Sequence, residues 1–219
     1  MKGLFVTGTD TGVGKTRVAV ALIHALRARG LRVAAMKPVA AGHVPGELNE
    51  DVTALLQAAN VAAALRDVNP YAFEPAIAPH IAAQQAGVRI ELDVIAEAFS
   101  RLAAAADVVV VEGAGGWRVP LNDDADMADL AQRLGLPVVL VVGLRLGCLN
   151  HAVLTAESIA QRQVPWAGWV GNQIDPAMPF QVENVAALQA RLPSPCLGVQ
   201  LFQSAGFSAE RTLQWLTLP

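Results

Sequence analysis

Aromatic residues make up only 5% of this 219-residue chain, tyrosine occurs once, and cysteine occurs twice, at Cys148 and Cys196. Two cysteines make neither a secreted disulfide framework nor a metal-ligand spacing. They read as small buried hydrophobes, and a cytoplasmic, reducing location follows. The net charge of −3 gives no basic footprint for nucleic acid or for an anionic membrane. No apolar run is long enough to span a bilayer, and Lys2 is followed at once by a strand-like run rather than by a signal-peptide layout. No G-x-S-x-G elbow is present to support acyl-enzyme chemistry. His43, His80 and His151 have no ligand spacing to one another and read as loop or core histidines.

Aliphatic sequence is plentiful instead. Hydrophobic residues are 53% of the chain, and the length suits one domain, residues 1–219, with a sizeable core. Strand-like runs at Leu4–Thr7, Arg32–Met36, Asp107–Val111, Pro137–Val142, Trp166–Val170 and Leu197–Leu201 alternate with helical patterns. The helices fall at 17–29, 51–59, 91–105, 126–134, 150–162 and 181–191. This alternation predicts an α/β fold, a mostly parallel central sheet with helices on both faces. Right-handed crossovers then set the carboxyl ends of the strands along one edge. The stretch 69–80, with Pro70, Pro75 and Pro79, reads as a structured loop, and 203–209 as another loop.

Residues 6–16 read Val6-Thr7-Gly8-Thr9-Asp10-Thr11-Gly12-Val13-Gly14-Lys15-Thr16, between the first strand and the first helix. That is a phosphate-binding loop in its required context. Glycines let backbone amides turn toward phosphate oxygens, Lys15 reaches the terminal phosphates, and the Thr16 hydroxyl is placed for Mg²⁺. The spacing from Gly8 to Gly14 is one residue longer than in G-x4-G-K-[ST], while the tail from Gly12 to Thr16 is intact. A dinucleotide reading fails, because Arg17 stands where the third glycine belongs.

Four more loops reach the same edge: Lys37–Gly42, Glu112–Trp117, Gly143–Gly147 and Gly171–Gln173. Lys37 there is either a surface lysine or a second cation for charge spreading over a transferred phosphoryl group. Glu112 ends a buried apolar run, where a carboxylate needs a cation. Mg²⁺ suits it, and a salt bridge or a helix cap is the plainer alternative. Asp51, at a helix start, is either an acid favoured by the helix dipole or a second Mg²⁺ ligand. Asp10 shapes the loop or meets substrate, and it stands where partitioning-type ATPases carry a signature lysine.

Taken together, several segments resemble the dethiobiotin synthetase family over roughly residues 3–200. They are Gly8–Thr16, Lys37-Pro38-Val39-Ala40, Val68-Asn69-Pro70-Tyr71, Pro79-His80-Ile81, Val111–Trp117, Leu146–His151 and Ala167–Asn172. The resemblance implies a P-loop NTPase-like fold and ATP- and Mg²⁺-dependent ring closure of 7,8-diaminononanoate with CO₂ (or bicarbonate). It proceeds through a carbamate and a carbamic-phosphoric anhydride. It implies that Gly12, Val13, Gly14, Lys15, Thr16 and Arg17 hold the phosphates, with Lys15 and Lys37 as catalytic cations. Thr16, Asp51 and Glu112 would bind Mg²⁺, with Gly113, Ala114 and Gly115 also lining the nucleotide. Asn172, Gln173, Leu201, Phe202 and Gln203 would lie on the purine side. Thr11, Lys37, Ala41 and the Gly147-Cys148-Leu149-Asn150 segment would meet the substrate. That last segment would come from the second subunit of a homodimer.

The chain departs from the family at three places. Ala41 replaces a serine, Arg145 replaces a lysine, and the 200–208 stretch lacks a proline, with Ser208 or Glu210 in place of an acidic ribose contact. These leave two other readings to weigh: a regulatory or partitioning ATPase, and a nucleotide-binding module without turnover.

Overall fold

The computed structural model describes residues 2–202 and 215–219. Its strands are β1 (Gly3–Gly8), β2 (Val33–Met36), β3 (Val39–Ala41), β4 (Tyr71–Phe73), β5 (Val108–Glu112), β6 (Val138–Leu144), β7 (Trp166–Gln173) and β8 (Cys196–Gln200). The helices are α1 (Lys15–Ala28), α2 (Glu50–Ala58), α3 (Leu65–Val68), α4 (Pro79–Gln85), α5 (Leu92–Ala105), α6 (Met127–Leu134), α7 (Cys148–Gln161) and α8 (Gln181–Arg191). Six strands form one sheet in the order β2-β5-β1-β6-β7-β8, and every pairing is parallel.

Side chains alternate across this sheet and feed two cores. Leu4, Val6, Val108, Val110, Val139 and Val141 pack on one face with Val18, Leu22, Ile23 and Leu26 of α1 and Leu55 of α2. Phe5, Val109, Val111, Leu140 and Val142 pack on the other with Ile95, Phe99 and Leu102 of α5, Leu130 of α6 and Ile159 of α7. Burial on both faces is why the strands read as unbroken apolar runs. Removing most of one such side chain, as in Leu22→Ala, costs about 2–5 kcal/mol.

Register places the chemistry. Met36 pairs with Val111, and Val6 with Glu112. Lys37, Glu112 and the loop after Gly8 therefore emerge side by side at the carboxyl edge, where ligands of open parallel sheets bind.

The stretch expected to be loop at 69–80 is more ordered than its sequence signalled. It holds β4 and the start of α4, and β3 pairs in parallel with β4 as a separate two-stranded sheet. These elements are too short to show a period. Tertiary bonds set them: the Asn69 amide donates to the Lys37 carbonyl at 2.7 Å and to the Tyr71 carbonyl at 3.1 Å. The Lys37 N–H in turn donates to the Val68 carbonyl at 2.8 Å.

Helices α1 and α7 also start two residues earlier than expected, at Lys15 and Cys148. Their N-caps are Gly14 (φ 90°) and Gly147 (φ 95°), with no side-chain cap to mark the boundary. Glycine tolerates that left-handed backbone and leaves the first amides of each helix free of side-chain caps.

Candidate active site

A cavity of about 840 Å³ opens at this edge. One wall is Thr11, Gly12, Gly14, Lys15, Thr16 and Arg17, with Lys37, Asp51, Glu112, Ala114 and Gly115 beside it. The opposite wall is small and apolar: Ala40, Ala41, Ala76, Ile77 and Pro79. The β3–β4 sheet and the start of α4 build that second wall.

At the cavity floor lies a cluster of charges nearly sealed from water. Glu112 is 0% exposed, Lys37 4% and Lys15 6%, so each ion must find a partner. The Lys37 ammonium donates to Glu112 Oε1 at 2.6 Å and to Asp51 Oδ2 at 2.8 Å. The Thr16 hydroxyl lies 2.7 Å from Asp51 Oδ1 and 2.9 Å from Glu112 Oε1. Its single hydrogen serves one carboxylate at a time. The other oxygen of Glu112, Oε2, is buried with no hydrogen-bond partner.

Burial presses on every ion here, and the neighbours decide the outcome. Burial works against the Lys37 charge, but Glu112 and Asp51 outweigh it and hold the ammonium above its ordinary value. Burial pushes Asp51 upward, yet Lys37 and the Thr16 hydroxyl bring its carboxyl below the usual range. Burial, reinforced by Asp51, raises Glu112 despite Lys37. Lys15 falls to about 8, chiefly through burial and then through repulsion from Lys37. It donates to the Asp10 carbonyl at 3.0 Å, a bond within its own loop.

Asp51 is aimed by a residue the sequence reading passed over. Asn49 caps α2, its side-chain oxygen accepting from the Asp51 N–H at 3.0 Å while its amide donates to the Gly42 carbonyl at 2.9 Å. Asn-x-Asp at a helix start was the available signal.

The remaining expected residues fall away from the cavity's open lining. Val13 and Gly113 sit behind the cavity wall: Val13 faces Gly8 and Gly143, and Gly113 lies against Phe5 and Met127. Asn172 is tucked under the phosphate loop, its amide donating to the Val13 carbonyl at 2.8 Å. A β-carbon on Gly14 would come within 2.1 Å of that amide, so only glycine fits there. Gln173 accepts from the Phe202 N–H at 3.0 Å, which ties the exposed pair Leu201-Phe202 to the end of β7. Gln203, Ser208 and Glu210 lie outside the described residues.

Gly147, Cys148, Leu149 and Asn150 form the start of α7 and do not line this cavity. Leu146 beside them is 96% exposed, and Cys148 is buried. Both cysteines are free thiols, and burial pushes Cys196 up. Asp10 binds Arg145 Nη2 through Oδ2 at 2.6 Å and the Thr11 N–H through Oδ1 at 2.7 Å. The sequence names both charged residues but not their pairing. Among the described residues no helix is long and apolar enough to cross a membrane.

Known proteins resemble this chain in sequence and in fold. A family profile described as an AAA domain matches residues 2–200. The ATP-dependent dethiobiotin synthetase of Nitrosospira multiformis is 57% identical over 198 residues, covering 90% of this chain and 87% of the relative. That of Pseudomonas aeruginosa (strain UCBPP-PA14) is 54% identical over 202 residues, covering 90% and 89%. Among solved structures, MinD of Pyrococcus horikoshii with Mg-ADP aligns with TM-score 0.56 at 17% identity, covering 97% of this chain and 84% of that one. The MinC–MinD complex of Aquifex aeolicus aligns with TM-score 0.58 at 14% identity, covering 93% and 83%, and both likenesses bear on the fold alone. The chain belongs to the ATP-dependent dethiobiotin synthetase family.

Proposed function

We propose that this chain makes dethiobiotin by closing a cyclic urea on 7,8-diaminononanoate with CO₂, ATP and Mg²⁺. One observation carries the reading: Lys15, Lys37, Thr16, Asp51 and Glu112, from four separate segments, converge on a single cavity beside a phosphate loop. Family membership supplies the ATP dependence and the product.

The reaction asks little covalent chemistry of the protein. One substrate amine takes up CO₂ as a carbamate. A carbamate oxygen attacks the γ-phosphorus as the bond to the β–γ bridging oxygen breaks, and ADP leaves. The second amine then attacks the carbamoyl carbon, phosphate departs, and the ring closes. Positioning and charge stabilisation carry most of the rate.

Gly12 to Arg17 hold the phosphates through backbone amides at the start of α1. Lys15 exchanges the Asp10 carbonyl for β- and γ-oxygens. Lys37 meets the carbamate and the charge spreading over the transferred phosphoryl group. Thr16, Asp51 and Glu112 present the hard oxygen donors that Mg²⁺ prefers, and the partnerless Glu112 Oε2 fits that role. When bound, Mg²⁺ would neutralise charge on the β- and γ-phosphate oxygens. Thr11, Ala114 and Gly115 line the nucleotide and substrate, with Gly113 behind them.

Asn172 reads the purine while bracing the phosphate loop, with Gln173, Leu201, Phe202 and Gln203 on the same side. Ala41 leaves the substrate one hydroxyl contact fewer than a serine would give. The start of α7, Gly147 to Asn150, receives the carboxylate of substrate bound to a partner subunit, so the active form is a homodimer, and the location is cytoplasmic. A partitioning ATPase is the weaker reading: Asp10, bound to Arg145, stands where that group needs a free lysine.

Incubating the purified protein with the diamine, bicarbonate, Mg²⁺ and ATP tests the proposal. The expected result is the cyclic urea by mass, with ADP release that requires the diamine. ADP release indifferent to the diamine would overturn it.

A further inference from the structure

The floor of the cavity holds a cation already. Lys37 sits 2.6 Å from Glu112 Oε1 and 2.8 Å from Asp51 Oδ2, the two carboxylates assigned above to the divalent ion. The Thr16 hydroxyl spends its hydrogen on the same carboxylates. Both carboxylates meant to hold the metal are therefore turned toward an internal cation, with Glu112 Oε2 left without a partner.

Charge balance sharpens the point. Asp51 and Glu112 carry two negative charges, and Lys15 and Lys37 carry two positive ones, so the floor is neutral as it stands. A bare divalent ion would add two positive charges beside Lys37, where burial weakens screening and like charges repel strongly. A triphosphate reverses that balance. It brings several negative charges and gives both lysines new oxygens to bind. Mg²⁺ dehydrates reluctantly and prefers to be held by a few carboxylates together with phosphates.

We propose that in the nucleotide-free chain Lys37 fills the divalent-cation site from within, and that the divalent ion enters only with a triphosphate that draws Lys37 away. The inference rests on the Mg²⁺ reading of Thr16, Asp51 and Glu112. The partnerless Glu112 Oε2 is an independent sign that this cluster is built for a ligand Lys37 does not replace, since a buried carboxylate oxygen without a donor is costly. The exchange ties release of the catalytic ammonium to arrival of the metal–nucleotide complex.

Mn²⁺ titrated into nucleotide-free protein, with free ion read by electron paramagnetic resonance, tests this. Wild type should show no saturable site up to ~1 mM. Lys37→Met should bind at least about tenfold more tightly, because the competing charge is gone. Lys37→Arg should behave as wild type. Adding Glu112→Gln to Lys37→Met should abolish the gain. Wild type binding Mn²⁺ as tightly as Lys37→Met would overturn the exchange while leaving the metal ligands intact. A gain that survives Glu112→Gln would instead remove the metal assignment, and the inference with it. A second measurement needs no variant: the ammonium resonance of Lys37 in ¹⁵N-lysine protein should be unmoved by Mg²⁺ alone. It should shift when Mg²⁺ is added with a non-hydrolysable ATP analogue, and a shift with Mg²⁺ alone would overturn the proposal.

Discussion

Two pairs of helices in this molecule begin in opposite ways. Helices α2 and α6 are closed by side chains. Asn49 accepts from the second amide of α2, and Asp126 accepts from the Ala128 and Asp129 amides of α6 at 2.8 Å and 3.0 Å while Asp129 reaches back to it. Helices α1 and α7 begin at Gly14 and Gly147, both in the left-handed region and both without a side-chain cap. A capped start satisfies its own amides and stabilises the fold. A bare glycine start leaves its amides to an outside acceptor, and in this account phosphate and carboxylate groups are those acceptors. The first pair gives stability; the second, on the function proposed above, serves ligands.

The largest effect should fall in the cavity beside the glycine-started α1, not at the capped helices. Lys37→Ala should lower kcat by about a hundredfold or more, the scale of losing one transition-state charge donor. Steady-state turnover close to wild type would reject its catalytic role. Glu112→Gln should raise the Mg²⁺ concentration for half-maximal turnover by about tenfold or more. The melting temperature of the nucleotide-free protein should change little beside that, and a large thermal loss with unchanged Mg²⁺ demand would make Glu112 structural instead.

Lys15 gives a pH signature. Its pKa of about 8 lies below the ordinary lysine value, so the nucleotide-free fold bears a cost for the charge below pH 8. That cost is relieved as pH rises toward the unfolded value, because there the unfolded chain binds the extra proton. A bound triphosphate raises the Lys15 pKa, so nucleotide binding above pH 8 takes up a proton and affinity falls as pH climbs. Calorimetry in buffers of different ionisation enthalpy should show that uptake, and its absence would place Lys15 away from the phosphates.

The capped side should respond chiefly in stability. Asp126→Ala should cost about 1 kcal/mol or more and roughly 2–4 °C of melting temperature per kcal/mol, with kcat/KM unchanged. Asn49→Ala should cost a similar amount and also raise the Mg²⁺ requirement, because that cap aims Asp51. Equal catalytic effects from the two would blur the distinction drawn between the caps. The smallest effect belongs to Arg145→Met. Its half-exposed ion pair with Asp10 is worth about 0.2–1 kcal/mol, and a double-mutant cycle with Asp10→Asn should return a coupling of that size.

How much of this was legible in the chain depended on distance. Strands β1, β2, β5 and β6 announced themselves because burial on both faces leaves unbroken apolar runs such as Val108–Val111. The rim loops were legible because parallel topology sends every strand's carboxyl end to one edge. The sequence was silent on β3, β4, α3 and α4, whose three or four to seven residues are fixed by Asn69 and by backbone bonds rather than by a period. It was equally silent on two pairings across long separations, Asn172 beneath Val13 and Arg145 on Asp10, whereas the family resemblance already groups Thr16 with Asp51 and Glu112. Residue types at a site can be read from motifs, whereas who touches whom is decided by the fold.

The most direct measurement is a crystal structure of the protein with Mn²⁺ and a non-hydrolysable ATP analogue, with the metal located by its anomalous signal. The account predicts one metal peak in contact with oxygens of Thr16, Asp51 and Glu112, with the Lys37 ammonium moved from Glu112 to a γ-phosphate oxygen. A triphosphate tail lodged elsewhere, or Lys37 still locked on Glu112 with the metal bound away from these oxygens, would contradict it.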